Sequence, residues 1–252
     1  MASRPAPRTM TVTATRKVTP SMLRVTLGGE GMVDYPEGQQ GGYVKLRLDP
    51  LPGKDKLTVR TYTIRAQRKG EIDVDFVLHE TPDGTHGPAT DWALAARPGT
   101  VIDLGGPGPA KPLPEDRDFY LIAGDMTALP AISVNLEALP RDAKGVAVLE
   151  VQDEADRQEI DAPEGVDIRW RVNPQPGAQP DLLATALREV PWPQGEVYAW
   201  AACEFSSMKQ LRAYLREERG LGPDSLYISS YWKSGLSEED HKIAKREDAE
   251  AA

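Results

Sequence analysis

Residues 118–132, DFYLIAGDMTALPAI, mark the point at which the sequence changes its pattern. The apolar run FYLIA is typical of a buried strand, and the Gly-Asp pair after it is typical of a turn. Thr127 is placed to cap a helix that begins there. The helix has its apolar residues on one face: Leu129, Ile132, Leu136 and Leu139. A buried strand that runs directly into such a helix predicts a parallel α/β sheet.

The same alternation continues downstream to residue 235. Strand-like runs (GVAVLEVQD, VDIRWRV, EVYAWAACE and SLYISSYW) are separated by the helical segments DLLATALREV and SSMKQLRAYLREERG. In the last of these helices Ser206 or Ser207 is placed to cap, and Gly220 to stop it. Alternating elements predict right-handed crossovers and a ligand site at the carboxyl ends of the strands. Residues 236–252 form a charged tail that we interpret as a solvated helix or frayed end.

Upstream of the change, the pattern has the period of strands. About six runs alternate apolar and polar residues between Gly, Pro and Asp turns, and only PATDWALAA looks helical. This predicts a closed antiparallel barrel or a sandwich. The Pro- and charge-rich stretch KPLPEDRD is interpreted as a linker. The predicted domains are therefore a barrel over 1–110, a linker over 111–118 and an α/β unit over 119–235.

Composition excludes several classes of function. The 252 residues carry a formal charge of -9, which argues against non-specific nucleic-acid binding and means that an anionic ligand needs a local basic patch. One cysteine excludes an internal disulfide and suits a reducing compartment. The first ten residues lack the apolar region of a secretory signal, and no apolar run is long enough for a membrane span. We therefore expect a cytoplasmic protein.

The stretch RTYTIR, residues 60–65, is unusual for a strand of an acidic protein. Arg60 and Tyr62 share one face and Arg65 lies on the other. Arginine suits bidentate contact with phosphate, and a tyrosine ring can lie against a flat ligand. The residues would therefore suit a flavin dinucleotide. On the hexapeptide alone, a barrel-rim strand with surface arginines is slightly favoured.

Four further stretches have chemistry-bearing residues, although each alone fits an ordinary structural role better. In LHETPDGTHGPATDWA, Gly87 and Pro88 shape a turn into a helix that Thr90 can cap, and free N–H groups there would suit a pyrophosphate. AGDMT is a strand-to-helix turn without the dinucleotide fingerprint. AACEF places Cys203 at a strand end, where a small buried filler is the favoured interpretation. YISSYWKSG ends a strand with two aromatics. Three histidines without zinc-ligand spacing argue against a metal site.

Taken in order, these stretches resemble the siderophore-interacting proteins, which are FAD-dependent ferric-siderophore reductases of the ferredoxin-reductase-like superfamily. The similarity lies in R-x-Y-T-x-R, V-L-H, G-P-A-T-x-W-A, A-G-D-x-T-A-L-P-A-I, W-A-A-x-E and Y-W-K-x-G, and it spans about residues 8 to 235. It implies an N-terminal antiparallel Greek-key β-barrel that binds FAD, followed by a C-terminal Rossmann-like parallel-sheet domain. FAD is expected between the two.

The resemblance also implies roles for individual residues. The expected FAD contacts are Arg60, Thr61, Tyr62, Thr63, Arg65, Val77, Leu78, His79, Gly87, Pro88, Ala89, Thr90, Tyr231 and Trp232. The expected nicotinamide contacts are Gly124, Asp125, Thr127, Ala128 and Glu204. Lys45 and Lys233 match the basic residues that hold an anionic ferric siderophore. No catalytic nucleophile, general base or metal ligand is expected, because the flavin performs the electron transfer.

The sequence departs from the family pattern on the electron-donor side. Met126 stands where the family commonly has glutamate, and Cys203 stands where it commonly has glycine. The donor is therefore left open between NADH, NADPH and reduced ferredoxin, with a nicotinamide expected. The alternatives are a general NAD(P)H flavin or ferredoxin reductase and a non-redox siderophore-binding protein. The expected partner is a ferric siderophore, without nucleic acid or membrane, and the expected state is a monomer.

Overall fold

The structure is a computed structural model that describes residues 6–79 and 85–251. The chain divides into two compact units, Met1–Lys111 and Pro112–Ala252. Within the residues described, no helix combines the length and the apolar character needed to cross a membrane.

The first unit is a closed barrel of six antiparallel strands in the order β1-β2-β5-β4-β3-β6. The strands are β1 (Arg8–Thr19), β2 (Met22–Gly28), β3 (Tyr43–Leu48), β4 (Thr58–Arg68), β5 (Glu71–Val77) and β6 (Val101–Gly108). One helix, α1 (Pro88–Ala95), lies between β5 and β6 in the chain. The six predicted strands and the predicted helix are confirmed. They form a closed barrel and not a sandwich.

The barrel core is built from the alternate residues that the period-two pattern predicts. Buried side chains such as Leu27, Leu46, Ile64 and Phe76 form one cluster, and α1 contributes Ala89, among others, to it. The register of β4 against β5 shifts between Ile64 and Ala66, so Arg65 is the extra residue of a bulge. A bulge re-aims a side chain locally, and here it acts on one of the two arginines of interest.

The second unit is a parallel sheet of five strands in the order β11-β10-β7-β8-β9. The strands are β7 (Phe119–Gly124), β8 (Gly145–Val151), β9 (Val166–Val172), β10 (Val197–Glu204) and β11 (Leu226–Trp232). The helices are α2 (Leu129–Ala138), α3 (Leu182–Arg188), α4 (Phe205–Arg212), a π-helical turn (Ala213–Glu218) and α5 (Glu238–Ala251). Because β8 and β10 flank β7 on opposite sides, the strand order reverses at β7, where such sheets form a crevice.

Three predicted helix caps are wrong, and each has a local reason. The N-cap of α1 is Gly87, because Pro88 already occupies the first helical position, so Thr90 lies inside the helix. The N-cap of α2 is Ala128, because the Asp125 carboxylate draws Thr127 into the preceding turn.

The serines predicted to cap α4 do not do so. The helix starts directly at the end of β10, so the last strand residue, Glu204, is the N-cap. Its carboxylate accepts hydrogen bonds from the backbone N–H groups of Ser206 and Ser207. The predicted stop is confirmed, since Gly220 has φ +72° and its N–H donates to the Arg216 carbonyl at 3.1 Å.

The charged tail forms the helix α5, which is attached to the second unit at three places. His241 is buried, and its Nε2 lies 2.8 Å from the Ser230 hydroxyl of β11. Lys245 donates to the Ser229 hydroxyl and the Ser230 carbonyl. The Asp248 carboxylate accepts hydrogen bonds from both terminal guanidinium nitrogens of Arg212 in α4. The tail is thus a docked helix, a feature its polar composition does not reveal.

Candidate functional site

The strand β4 presents its predicted ligand-binding residues on two faces. Arg60 lies opposite Leu46, and Tyr62 opposite Val44, so both belong to the row that continues into the barrel core at Ile64. The Tyr62 ring packs on Phe76 with its centroid 4.4 Å away. Arg60 and Tyr62 are half-buried, whereas their partners on β3 are fully buried. The inner row of β4 therefore changes from apolar to polar along its length.

The outer row of β4 carries hydroxyls beside a lysine. Thr61 lies opposite Lys45 and Thr63 opposite Tyr43. The Lys45 ammonium sits 5.9 Å from the centre of the Tyr43 ring. A cation over an aromatic face is attracted by the ring quadrupole, which limits where the lysine can point. The side chain of Tyr43 is in turn fitted to Gly108, where an added Cβ would fall 2.1 Å from the ring.

The predicted pyrophosphate segment is held together by its own hydrogen bonds. His86 Nδ1 lies 3.0 Å from the His79 carbonyl oxygen, and the Thr90 hydroxyl lies 3.5 Å from the Val77 carbonyl oxygen. Leu78 between them donates its N–H to Ser21 at 2.8 Å. Residues 77–79 therefore meet residues 86–90, although residues 80–84 lie outside the described chain. The start of α1 has no side-chain cap.

This barrel set has the chemistry that FAD requires. Two guanidinium groups and the N-terminus of α1 match the charge of a pyrophosphate, and a half-buried tyrosine ring matches a flat isoalloxazine. The helix start suits close approach of such a group, because its cap is a glycine and no side chain among the described residues caps it. The residues present in the barrel therefore fit the group.

The carboxyl edge of the parallel sheet is different, because carboxylates are buried there. Asp125 follows β7 and accepts hydrogen bonds from four donors: Thr127 N, Thr127 Oγ1, Glu204 N and Trp232 Nε1. Burial raises the pKa of Asp125, while these four donors favour its ionised form. Gly124 packs tightly, since an added Cβ would fall 2.8 Å from the Ala202 carbonyl oxygen.

Two more carboxylates lie in the same buried region. Glu204 accepts from the N–H groups of Ser206, Ser207 and Ser234. Glu150 at the end of β8 accepts from Asn173 Nδ2 at 2.8 Å. Burial and the neighbouring Asp125 charge raise the pKa of Glu150 to about 7. Among the described residues, no three His, Cys, Asp or Glu side chains are arranged to hold a metal ion.

The remaining sequence candidates lie close to these carboxylates. Cys203 is buried, and burial raises the pKa of its thiol well above the ordinary value, so it is a packing residue of the core. Trp232 donates to Asp125 as described above. Tyr231 is the extra residue of a bulge, because Cys203 pairs with Ser230 while Glu204 pairs with Trp232. The Lys233 ammonium lies 4.4 Å from the centre of the Phe205 ring.

The structure thus groups the sequence-predicted residues into two sets. In the barrel, the residues of β4 lie beside Lys45, and residues 77–79 contact residues 86–90. The α/β unit unites Gly124, Asp125, Thr127, Ala128 and Glu204 with Trp232. Sequence reasoning missed Glu150, Asn173 and the loop glycine Gly177. The one available signal was that Glu150 is a charged residue inside the otherwise apolar run GVAVLEV.

The barrel followed by a parallel sheet is a fold that this chain shares with ferredoxin reductases. The ferredoxin reductase of carbazole 1,9a-dioxygenase superposes with a TM-score of 0.64 over 90% of this chain and 67% of that chain, at 18% identity, which shows the shared fold.

Closer relatives identify the family. Residues 117–235 match the family model "Siderophore-interacting protein", and residues 47–111 match "Siderophore-interacting FAD-binding domain". The ferric vibriobactin reductase ViuB of Vibrio cholerae is 38% identical over 253 residues, covering 92% of each chain. The siderophore-interacting protein SipS of Aeromonas hydrophila is 32% identical with a TM-score of 0.84 over 98% of each chain. This chain belongs to the siderophore-interacting protein family, and its fold and resemblance are confirmed.

Proposed function

We propose that this protein is an FAD-dependent reductase of ferric siderophores, which releases iron by reducing Fe(III) to Fe(II). The observation that carries the proposal is the half-buried Arg60–Tyr62 row of β4 inside a domain that matches the siderophore-interacting FAD-binding model. The 38% identity with ViuB, named as a ferric vibriobactin reductase, supports the reaction.

In this proposal the barrel holds FAD. Tyr62 would lie against the isoalloxazine, Thr61 and Thr63 would supply hydroxyl and backbone groups, and Arg60 or Arg65 would contact the pyrophosphate. The start of α1, residues 87–90, receives the same pyrophosphate, supported by residues 77–79. FAD supplies the ability to accept two electrons as hydride and to donate them singly to iron. The protein's own groups bind and orient, so no protein side chain serves as nucleophile or general base.

Lys45 and Lys233 are the proposed contacts for an anionic ferric siderophore. Each ammonium lies over an aromatic ring, Tyr43 for one and Phe205 for the other. An ammonium in such a place has fewer accessible positions than on a free side chain, so less entropy is lost on binding. Each lysine would also provide positive charge within its own unit, which an acidic protein needs to attract an anion.

The proposed donor is NADH or NADPH, with Gly124, Thr127 and Ala128 near the crevice at the end of β7. Two one-electron reductions of ferric siderophore balance the two electrons of one hydride. Reduced ferredoxin is the alternative donor. The single cysteine favours a reducing compartment, the cytoplasm, and we propose the boundaries 110/111 and 118/119 for the linker.

The visible spectrum of the purified protein tests this function. We expect flavin absorption, bleaching when NADH or NADPH is added without oxygen, and recovery of the oxidised spectrum on adding ferric vibriobactin. If only reduced ferredoxin bleaches the flavin, ferredoxin and not a nicotinamide nucleotide is the electron donor. A protein that takes up no FAD would contradict the proposal and favour a non-redox siderophore carrier. Recovery with free flavin but not with ferric siderophore would favour a general flavin reductase.

A further inference from the structure

We propose that Asp125 and Glu204 are positioning residues that fix Trp232 and, through it, the substrate-binding Lys233. This inference rests on the proposed function, because it gives these two carboxylates a role in placing the siderophore contact. It also removes them from the set of groups available to a nicotinamide nucleotide.

We call Asp125 and Glu204 together the clamp. Its first member is Asp125. Its Oδ2 accepts from Trp232 Nε1 and from the Glu204 N–H, each at 2.8 Å. Its Oδ1 accepts the N–H and the hydroxyl of Thr127. A carboxylate has about four lone-pair sites, so all of them are used internally. Asp125 therefore has no acceptor left for a ribose hydroxyl, and it ties the end of β7 to the end of β11.

The second half is Glu204, the residue that caps α4. Its Oε2 accepts hydrogen bonds from the N–H groups of Ser206 and Ser207 in that helix. Its Oε1 accepts a hydrogen bond from the Ser234 N–H at 3.1 Å. Glu204 also pairs with Trp232 in the sheet register. The segment Trp232–Ser234 is thus held on both sides of Lys233, by a side chain before it and by a backbone N–H after it.

The surroundings support a fixed lysine. The bulge at Tyr231 turns the strand immediately before this segment. Phe205, the residue after Glu204, provides the ring over which the Lys233 ammonium lies. Gly177, with φ +83°, brings its loop near Glu204 and the held segment, since a Cβ there would lie 3.4 Å from Glu204 Cγ and Trp232 Cη2 and 3.5 Å from Ser234 Cβ.

The consequence is a preorganised cation. A lysine on a free strand end samples many rotamers, and binding an anion must then order it. Clamping the residues on either side removes part of that cost before the substrate arrives. Loss of the clamp should therefore weaken substrate binding while leaving the electron-transfer step itself little changed.

The experiment uses the full FAD-loaded chain and the variant Asp125→Asn, whose amide nitrogen cannot accept from the indole. The first readout is the ¹H–¹⁵N signal of the Trp232 indole, identified by its absence in Trp232→Phe. We expect faster hydrogen exchange of that indole in Asp125→Asn. We also expect KM for ferric vibriobactin to rise roughly fivefold, with kcat within about twofold.

The Trp232→Phe variant keeps an aromatic ring, although a smaller one, and removes the indole N–H that bonds to Asp125; it serves if Asp125→Asn does not fold. It should give the same rise in KM, and the double variant should add little to either single change. Glu150→Gln is the matched control, a buried carboxylate of the same region that contacts Asn173 instead of the clamp. It should alter neither the indole signal nor KM.

The outcomes separate the two levels of proposal. An unchanged KM in both clamp variants beside an active wild type would overturn the clamp's role alone. A loss of kcat with unaltered KM would also overturn it, because the residues would then serve the chemical step. If the wild type reduces no ferric vibriobactin or other ferric siderophore, the proposed function fails first, and the substrate role of the clamp falls with it.

Discussion

The two units of this protein use charge in opposite ways. The barrel brings cations to the surface of one strand pair, Arg60 and Arg65 on β4 and Lys45 on β3, and these side chains are half-buried. The sheet of the second unit buries anions, with Asp125, Glu150 and Glu204 each less than a tenth exposed.

We interpret this difference as a separation between groups proposed to contact ligands and groups that hold the protein together. Guanidinium and ammonium groups remain partly solvated and can exchange water for phosphate or siderophore oxygens. The buried carboxylates already accept hydrogen bonds from donors of the protein. Binding is therefore assigned to the cations and positioning to the anions. Each of the following changes would break or sharpen that division, beginning with the largest expected effect.

Removal of the Arg60 guanidinium should have the largest effect, on the affinity for FAD. Arg60→Ala should fold, judged by circular dichroism, but lose FAD on a desalting column. A charge-assisted contact with phosphate is worth about 3 kcal/mol, roughly a hundredfold in Kd. The control is Arg47→Ala, an exposed arginine of the neighbouring strand, which should keep its flavin. Full yellow colour after desalting in Arg60→Ala would show that the barrel cation does not bind the cofactor.

Glu150 tests the other half of the comparison, because a buried anion should cost stability. Its folded-state pKa of about 7 lies above the ordinary 4.5, so the folded protein binds the extra proton between these values. Stability therefore falls as pH rises through this window, and the full penalty applies above pH 7. Glu150→Gln should raise the unfolding free energy at pH 8 by on the order of 2 kcal/mol, and change it little at pH 4.

Urea unfolding of both proteins at the two pH values measures this. A gain of equal size at pH 4 and pH 8 would mean that the glutamine acts through packing. A loss at pH 8 would mean that the ionised Glu150 is stabilising where it lies, and the assignment of cost to this anion would be wrong.

The substrate lysines should show a smaller effect. Lys45→Gln and Lys233→Gln remove the charge but keep a polar side chain that is one atom shorter, and each should raise KM for ferric vibriobactin about fivefold, near 1 kcal/mol. Raising the salt concentration should reduce the difference from wild type, because salt screens charges that remain partly solvated. Lys144→Gln, at an exposed lysine outside the proposed site, is the control. Equal KM values in all three variants at low salt would contradict the role of these cations.

Much of the fold was predictable because it follows from periodicity. The alternation in residues 58–65 and the run of residues 119–123 identify strand types without tertiary information. The barrel closure and the order of the parallel strands agree with the resemblance. The resemblance grouped Asp125 and Glu204 as expected nicotinamide contacts, and the structure brings them together, but it placed their neighbour Trp232 in the FAD set.

The parts that sequence could not predict depend on contacts between distant residues. Asp125 and Trp232 are 107 positions apart, so neither stretch reveals that one carboxylate accepts the other's indole. The caps failed for a different, local reason: Glu204 caps α4 because β10 ends where the helix starts. The tail looked solvated because only three of its many polar residues, one histidine, one lysine and one aspartate, make the anchoring contacts described above.

That docked tail gives the smallest predicted effect, a dependence of stability on pH. Burial lowers the pKa of His241, and the facing charges of Lys245, Lys233, Glu238 and Glu204 act on it in both directions. A lowered folded-state pKa means that the unfolded chain binds more protons just below pH 6.5, so stability falls as pH decreases through that range.

His241→Gln keeps an amide that can bond to Ser230 but does not titrate. We expect it to be less stable than wild type at pH 8, where the neutral imidazole packs well. The difference in unfolding free energy between the two proteins should narrow by less than about 1 kcal/mol as the pH falls to 5.5. Only the wild type loses stability in this range, because its buried ring resists protonation. Thermal unfolding at both pH values measures the gap. A gap that widens on acidification would show that protonated His241 stabilises the docked helix, so that α5 is held by a buried cation and the contrast between the units would not extend to the tail.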